Sequence, residues 1–385
     1  MASEQMVIVG GGLASFHAVK ELRHQGISWP ITVVTDEPSR PADRPPLTKG
    51  FLTGTLSDEE TDFAWDGLDI NWMLQSRAQG VDAESRQVLI SSGELPYTHL
   101  LIATGVSPRA PEGLAGQSYS VVHNAEESRR LRDQLTAGSE LLVLGGGFIA
   151  VEVASSAREL GVNVTLVSRR RPMEKYGPHV ADYVESLLEK EGVVVFSPDR
   201  VVETTSDQGT VLLHSGAELH SDTIVVALGS QPNTHWLYGS SIPIDDGILC
   251  GPTGLVDGVD GIASAGDVAR WRRASDGVHM PRQEHWTNAV QQGRIAAQAL
   301  AGLPVSAPGP GSFWSDHFGQ RLQGVGSPEL GHKWEILTGS PGSGKFVSVA
   351  TKDGKVVGAT GYGMPREIAE VSRGLTRSNN LIGAS

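Results

Sequence analysis

Two glycine-rich turns carry chemistry that can be read directly from the residues. Gly10-Gly11-Gly12-Leu13-Ala14-Ser15 follows the apolar run MVIV and opens a stretch with helical spacing; Gly145-Gly146-Gly147-Phe148-Ile149-Ala150 follows ELLVL in the same way. In such a turn the first glycine permits a tight reversal. A later one lets backbone approach a pyrophosphate, which rests on the helix N-terminus among free N–H groups and the positive end of the dipole. Ser15 and Ala150 stand where a third glycine would allow close packing of helix on strand, so each site must tolerate a small side chain. The strand after the first helix ends in Asp36 and Glu37, whose carboxylates can accept hydrogen bonds from ribose hydroxyls. The bland alternative is a glycine turn with a surface acid. Two dinucleotide turns on one chain point to a flavin together with a nicotinamide cofactor.

The second unit differs at one position. Its second strand ends in Ser168, followed by Arg169, Arg170 and Arg171. An acid at position 168 would bind a ribose 2′-hydroxyl and repel a 2′-phosphate. Ser168 removes that repulsion, and Arg169 and Arg170 can offer charge-assisted hydrogen bonds to a phosphate. This predicts NADPH at the second site. A solvated arginine run, which would leave NADH acceptable, is the competing reading. Arg171, directly before Pro172, belongs with that alternative, because the chain is already leaving the site.

Further segments carry single residues of interest. In ADRPPLTKGFL (42–52) two prolines stiffen a loop ahead of Lys49. A lysine held near a flavin could stabilise negative charge at its N1/O2 or N5/O4 edge; from the residues alone this is a Pro-rich turn with a surface lysine. LLIATGVSPR (100–109) and IVVALGSQPN (224–233) read as strands ending in glycine turns, marking Ala103, Thr104, Gly105 and Gly229. GIASAGDVAR (261–270) could place the Asp267 carboxylate on sugar hydroxyls. In RQEHWTNAVQQG (282–293) Trp286 precedes a helix and could equally be a packed core aromatic. SFWSDHFGQRLQGVG (312–326) holds Trp314 and Asp316.

The elements that must position these residues repeat. The order strand–helix–strand at the N-terminus recurs at 140–168, and further strand-like runs lie at 99–105, 192–197 and 223–229. This predicts two doubly wound, Rossmann-like α/β domains. LPVSAPGPGS (303–312) reads as a linker. Beyond it, KWEILTG and KFVSVATKDGKVVGATGYG look like antiparallel strands with a KDGK hairpin, and a helix starts near Arg366, making a small C-terminal α+β domain. GSPGSGKF (339–346) nearly matches a phosphate-binding loop, but Phe346 replaces the metal-binding hydroxyl and a strand follows, so a hairpin loop is expected. No His/Asp/Glu cluster has convincing metal-ligand spacing, so no metal site is expected and HFGQ and HNAEE are read as ordinary polar segments.

The 385 residues carry a net charge of −13, from 31 Lys and Arg against 44 Asp and Glu, which argues against a general nucleic-acid binder. The single cysteine, Cys250, cannot form an intramolecular disulfide or a CxxC pair. No basic, apolar leader and no run near 18 apolar residues stand out, so a soluble cytoplasmic protein is expected.

Taken together and in this order, DRPPLTK, ATGVSPR, GDVAR, EHWTNAVQQG and FWSD resemble the FAD-dependent ferredoxin reductases that serve Rieske oxygenases and bacterial P450s, over nearly the whole chain. The resemblance implies a glutathione-reductase-like fold: an FAD domain split over 1–112 and 246–305, a nicotinamide domain at 113–245 and a C-terminal domain at 306–385. It implies that Gly10, Gly12, Leu13, Ala14, Asp36, Glu37, Arg44, Lys49, Ala78, Ala103, Thr104, Gly105, Asp267 and Trp286 hold FAD. It gives Gly145, Gly147, Phe148, Ile149, Ser168, Arg169, Arg170 and Gly229 to the nicotinamide dinucleotide. Lys49 and Glu152 are its catalytic candidates, with Glu152 near the nicotinamide–flavin contact. The implied reaction is hydride transfer from NAD(P)H to the flavin, then single electrons to a [2Fe–2S] ferredoxin. Trp314 would lie near the flavin edge and the partner's docking surface. The basic group Arg270, Arg272 and Arg273, with Arg282, could face an acidic ferredoxin or be an ordinary exposed turn.

The chain departs from the family pattern at His123, where an arginine meeting the flavin pyrophosphate is common, and at Ala42, where a tyrosine is. A flavin disulfide reductase would need cysteines near the flavin. A slow, redox-sensing flavoprotein like the apoptosis-inducing-factor relatives, or a flavin NAD(P)H oxidase, remains open.

Overall fold

The structure, a computed structural model, describes residues 4–109, 111, 114, 117–204, 207–306 and 308–382. The domain boundary expected at 112/113 falls outside the described residues. The chain divides into two compact units. Unit 1 comprises Met1–Asp43, Asp62–Ser107 and Gln231–Gly311; unit 2 comprises Arg44–Thr61, Pro108–Ser230 and Ser312–Ser385.

In unit 1, strand β1 (Met6–Val9), helix α1 (Leu13–His24) and strand β2 (Ile31–Val34) form the first βαβ unit. β1 is central in a five-stranded parallel sheet, ordered Ile262–Ser264, His99–Ile102, β1, β2, Asn71–Met73. Strands covered on both faces have no polar face to present, hence the uninterrupted MVIV, with all four residues buried. α1 packs against the helix Trp286–Leu300. Gly293 on that helix makes the close approach possible: a Cβ there would lie 2.2 Å from the Ala14 carbonyl oxygen.

Unit 2 repeats the device with β3 (Glu140–Leu144), α2 (Phe148–Glu159) and β4 (Asn163–Val167). Its parallel sheet runs Val194–Phe196, β4, β3, Thr223–Val226, in the register Asn163↔Glu140 and Thr223↔Leu141. The unit also holds an antiparallel sheet of β5 (Ser312–His317), β6 (Gln320–Gly326), β7 (Lys333–Ser340), β8 (Lys345–Lys352) and β9 (Lys355–Tyr362), in the order β5-β6-β9-β8-β7. The expected KDGK hairpin joins β8 to β9, with Asp353 and Gly354 at φ 50° and 73°. The phosphate-loop-like GSPGSGKF is the β7–β8 hairpin. Helix α3 (Pro365–Ile382) covers one sheet face through Ile368, Val371 and Leu375.

The Pro-rich segment after Asp43 also builds unit 2. Leu47, Phe51 and Leu52 are buried in the same core as Val151, Ala154, Phe313 and Tyr362. The Ser128 hydroxyl donates to the Leu47 carbonyl and the Ser156 hydroxyl to the Thr48 carbonyl, both at 2.7 Å. These bonds satisfy buried backbone acceptors in a stretch that has no sheet partners of its own.

Candidate functional site

The two glycine turns are near copies. Gly10 has φ +95° and Gly145 φ +138°; a Cβ would meet the Ala103 carbonyl oxygen at 2.3 Å in one and the Ala227 carbonyl oxygen at 2.2 Å in the other. No L side chain fits either position. Gly12 and Gly147 are the N-caps of α1 and α2, both extended, both without a side-chain cap and without an acid in the first turn. A Cβ at either would meet nothing within 4 Å. Each cap therefore opens onto space, with uncapped N–H groups behind it, which is what a dinucleotide pyrophosphate requires. On this observation the residues fit two dinucleotides, one per unit.

Around the first turn, Ala14 is buried and Leu13 half-buried. The Ser15 hydroxyl donates to the Gly10 carbonyl at 2.6 Å, occupying the space of a third glycine with a satisfied polar group. Asp36 is exposed beside Arg77 (3.3 Å), and Glu37 is half-buried. Thr104 donates to the Asn233 carbonyl at 2.9 Å, and Gly105 turns the chain at φ +63°. Asp267 follows Gly266, whose N–H donates to the buried Gln292 at 2.9 Å, and the Asp267 carbonyl accepts from Arg282 at 2.8 Å. The Trp286 indole donates to Asp43 at 2.9 Å, with His17 edge-on to its ring. Ala78 begins a strand and is half-buried.

Around the second turn, Phe148 stacks on Tyr176 at 4.5 Å and touches Phe313, so its side chain belongs to the core and its backbone is what a dinucleotide could use. Ile149 is exposed, as is Gly229. Ser168 is buried and its hydroxyl donates to the Arg170 carbonyl at 2.7 Å, pinning the loop after β4. Arg171 is held by Glu185 and Asp182, which push its pKa up. Arg169 and Arg170 are exposed and form no ion pair among the described residues.

Lys49 and Glu152, far apart in sequence, meet in unit 2. Lys49 Nζ is 2.8 Å from Glu152 Oε2 and 3.0 Å from the Pro45 carbonyl. Glu152, on α2, is buried and receives three further donors: the Thr48 hydroxyl (2.5 Å), the Ser315 hydroxyl (2.5 Å) and the Asp316 N–H (3.2 Å). Beside it a cleft of about 160 Å³ is lined by Lys49, Thr53, Ser155, Glu159, Asp316 and Gly319. Thr48, Ser315 and His317 were not singled out by sequence reading. The reading of HFGQ as an ordinary polar segment is corrected at His317. It is fully buried, with Nε2 2.8 Å from Ser315 Oγ and Nδ1 2.6 Å from the Tyr362 hydroxyl, and burial lowers its pKa to about 3. The signal lay in the alternation of β5, which turns Phe313, Ser315 and His317 inward and leaves Trp314 and Asp316 half-buried. HNAEE is likewise more than a polar segment, since Asn124 and Glu127 form a capping box. His123 is half-buried near Arg44, and desolvation, with the Arg44 charge adding to it, lowers its pKa to about 3.

Two family models match this chain: pyridine nucleotide-disulphide oxidoreductase over residues 4–293, and reductase C-terminal over 312–383. The chain belongs to the pyridine nucleotide-disulphide oxidoreductase family. Among other members, the anthranilate 1,2-dioxygenase system ferredoxin–NAD(+) reductase component of Burkholderia cepacia is 30% identical, covering 97% of this chain and 94% of its own length. The rubredoxin–NAD(+) reductase of Pseudomonas putida is 31% identical over 84% of this chain and 86% of its own. The crystal structure of the covalent putidaredoxin reductase–putidaredoxin complex matches all of this chain and 96% of the chain compared, with TM-score 0.93 and 27% identity. This member of the oxidoreductase family has a single, buried cysteine, whose thiol is pushed up by burial. Within the chain it can form no redox disulfide. Among its described residues no helix is long and apolar enough to cross a membrane.

Proposed function

We propose that this chain is an FAD-dependent reductase that oxidises a reduced nicotinamide dinucleotide and delivers the two electrons singly to a [2Fe–2S] ferredoxin of an oxygenase system. The carrying observation is the pair of uncapped glycine turns, one in each unit, in a chain that aligns along nearly its whole length with reductases of that kind. Bound flavin supplies the conversion of a two-electron donor into one-electron steps, so no nucleophile or base of the protein is needed. Gly10, Gly12, Leu13 and Ala14 give backbone to the flavin pyrophosphate, Asp36, Glu37 and Asp267 give carboxylates to its hydroxyls, and Lys49, fixed by Glu152, sets charge at the flavin edge. The measurement that tests this is a flavin spectrum of the purified protein, followed by reductant titration with and without a [2Fe–2S] ferredoxin. Flavin reduction without ferredoxin turnover, or turnover with a rubredoxin alone, overturns the acceptor assignment.

For the nicotinamide dinucleotide we infer a preference for the 2′-phosphorylated form. Ser168 carries no negative charge, and Arg169 and Arg170 are exposed with no carboxylate partner among the described residues, whereas Arg171 is committed to Glu185 and Asp182. The ratio of kcat/KM for NADPH and NADH decides, in the wild type and in R169A/R170A. A preference for NADH, or an unchanged ratio in the variant, removes the inference. For docking, Trp314 is the favoured anchor. Arg270, Arg272 and Arg273 each hold a carboxylate already, from Asp245, Asp257 and Asp276, so their positive field is largely cancelled. Charge reversal at Arg272 and Arg273 should leave the salt dependence of ferredoxin reduction nearly unchanged; a steep change would return them to the interface.

A further inference from the structure

The buried cluster around Glu152 has a direction. Ser315 Oγ lies 2.5 Å from Glu152 Oε1 and 2.8 Å from His317 Nε2. A serine hydroxyl has one proton, and a carboxylate paired with Lys49 can only accept. The Ser315 proton therefore goes to Glu152, and His317 Nε2 must be the donor to Ser315. His317 is fully buried and kept neutral, so its other nitrogen, Nδ1, bears no proton and accepts from the Tyr362 hydroxyl at 2.6 Å. Every donor in the row points toward Glu152. Tyr362 on β9 and Ser315 and His317 on β5 belong to one sheet, and Glu152 on α2 and Lys49 lie in the same unit.

We propose that Tyr362, His317 and Ser315 form a one-way chain of hydrogen-bond donors that fixes the Glu152 carboxylate, and through it the Lys49 ammonium, so that Ser315 and His317 are positioning residues for the reductase reaction. Thr48 and the Asp316 N–H complete the clamp. The carboxylate thus has one orientation in which all its donors are satisfied, and a long flexible lysine inherits that orientation. The charged groups around His317 are Glu152, reached only through the Ser315 hydroxyl, Asp316, itself paired with Arg321, and Lys49; Tyr183 faces Tyr362 from the helix Pro178–Lys190. None of these offers His317 a carboxylate partner for a second proton. The part played in turnover rests on the proposed flavin chemistry; the donor chain itself does not.

The test has two arms, both on the FAD-loaded full chain. In the first, ¹⁵N NMR of histidine-labelled protein, assigned with His317→Gln, reads the tautomer. The expected result is protonated Nε2 and bare Nδ1, unchanged from pH 5 to 9. An Nδ1–H tautomer, or titration within that range, overturns the donor chain. In the second, stopped-flow flavin reduction is measured for Ser315→Ala, Lys49→Ala and the double variant. The two single variants should each slow reduction on the order of tenfold, as expected for loss of a bond to a charged group. They should be markedly non-additive, and Ser315→Thr should recover most of the rate. Ser315→Ala within twofold of wild type, beside a slow Lys49→Ala, overturns the positioning role. If Lys49→Ala is itself unaffected, the reading of Lys49 in the reaction fails, and the positioning role fails with it, while the tautomer arm still decides the donor chain.

Discussion

The neutral, buried His317 makes a prediction about acid stability that can be worked through. Its pKa falls from 6.5 to about 3 on folding, chiefly because burial penalises the imidazolium, with Lys49 adding to the effect and Asp316 opposing it. The unfolded chain binds this proton at pH 5 and the folded chain does not, so stability rises with pH across this range. The contribution is complete above pH 6.5 and is lost as pH falls from there toward 3. At pH 5 the loss is 1.5 pH units below the unfolded pKa, or about 2 kcal/mol. His317→Gln removes this titration while keeping an amide that can donate to Ser315 and accept from Tyr362. Urea unfolding at pH 7.5 and pH 5.0, followed by far-UV circular dichroism, reads the difference. The variant should gain about 2 kcal/mol relative to wild type on going from pH 7.5 to 5.0. His123 and His17, also lowered by burial, titrate in the same direction but are present in both proteins and cancel in the comparison. An identical pH dependence in the two proteins would refute the reasoning, because it would mean that His317 is protonated in the folded state.

Other perturbations separate fold from function. Gly12→Ala should leave the unfolding midpoint nearly unchanged, since its Cβ meets no protein atom, yet lower FAD retention through gel filtration; Gly10→Ala should fail to accumulate as folded protein, because its Cβ meets the Ala103 carbonyl oxygen at 2.3 Å. Ser168→Asp should lower the kcat/KM ratio of NADPH to NADH by roughly tenfold or more, by placing a carboxylate against a 2′-phosphate. Cys250→Ser should retain turnover within twofold, and the wild type should resist iodoacetamide, because the thiol is buried and burial holds it protonated. Loss of activity in either case would reopen a thiol mechanism.

Both βαβ units were legible because doubly covered parallel strands are written as unbroken apolar runs, and because a turn without room for a Cβ demands glycine at Gly10 and Gly145. The hairpin at Asp353-Gly354 was legible for the same local reason. The core role of Leu47, Phe51 and Leu52 was not, because PPLTKGFL shows neither a helical nor a strand period long enough to reveal a buried face. At the site, Lys49 stood out in its Pro-rich loop but Glu152 only through resemblance, and nothing local in either segment reveals that the two form an ion pair. His317 was missed altogether. A histidine between Asp316 and Phe318 looks polar until the alternation of β5 is known, and its partner Tyr362 lies on another strand of the same sheet.

The segment 44–61 has a consequence for synthesis. The chain passes between the units at 43/44, 61/62, 107/108, 230/231 and 311/312. On the ribosome, Leu47, Phe51 and Leu52 emerge long before Phe313, Phe346 and Tyr362, with which they share a core. Thr48 and Lys49 likewise wait for Ser315 and His317 before the clamp on Glu152 can close. Neither unit can be completed as a contiguous nascent piece, so apolar surface from the first sixty residues stays uncovered until the last strands are released. The first unit in turn waits for Ile262–Ser264 to finish its sheet. Such late closure favours a chain that is sheltered by chaperones during translation and matures only after release.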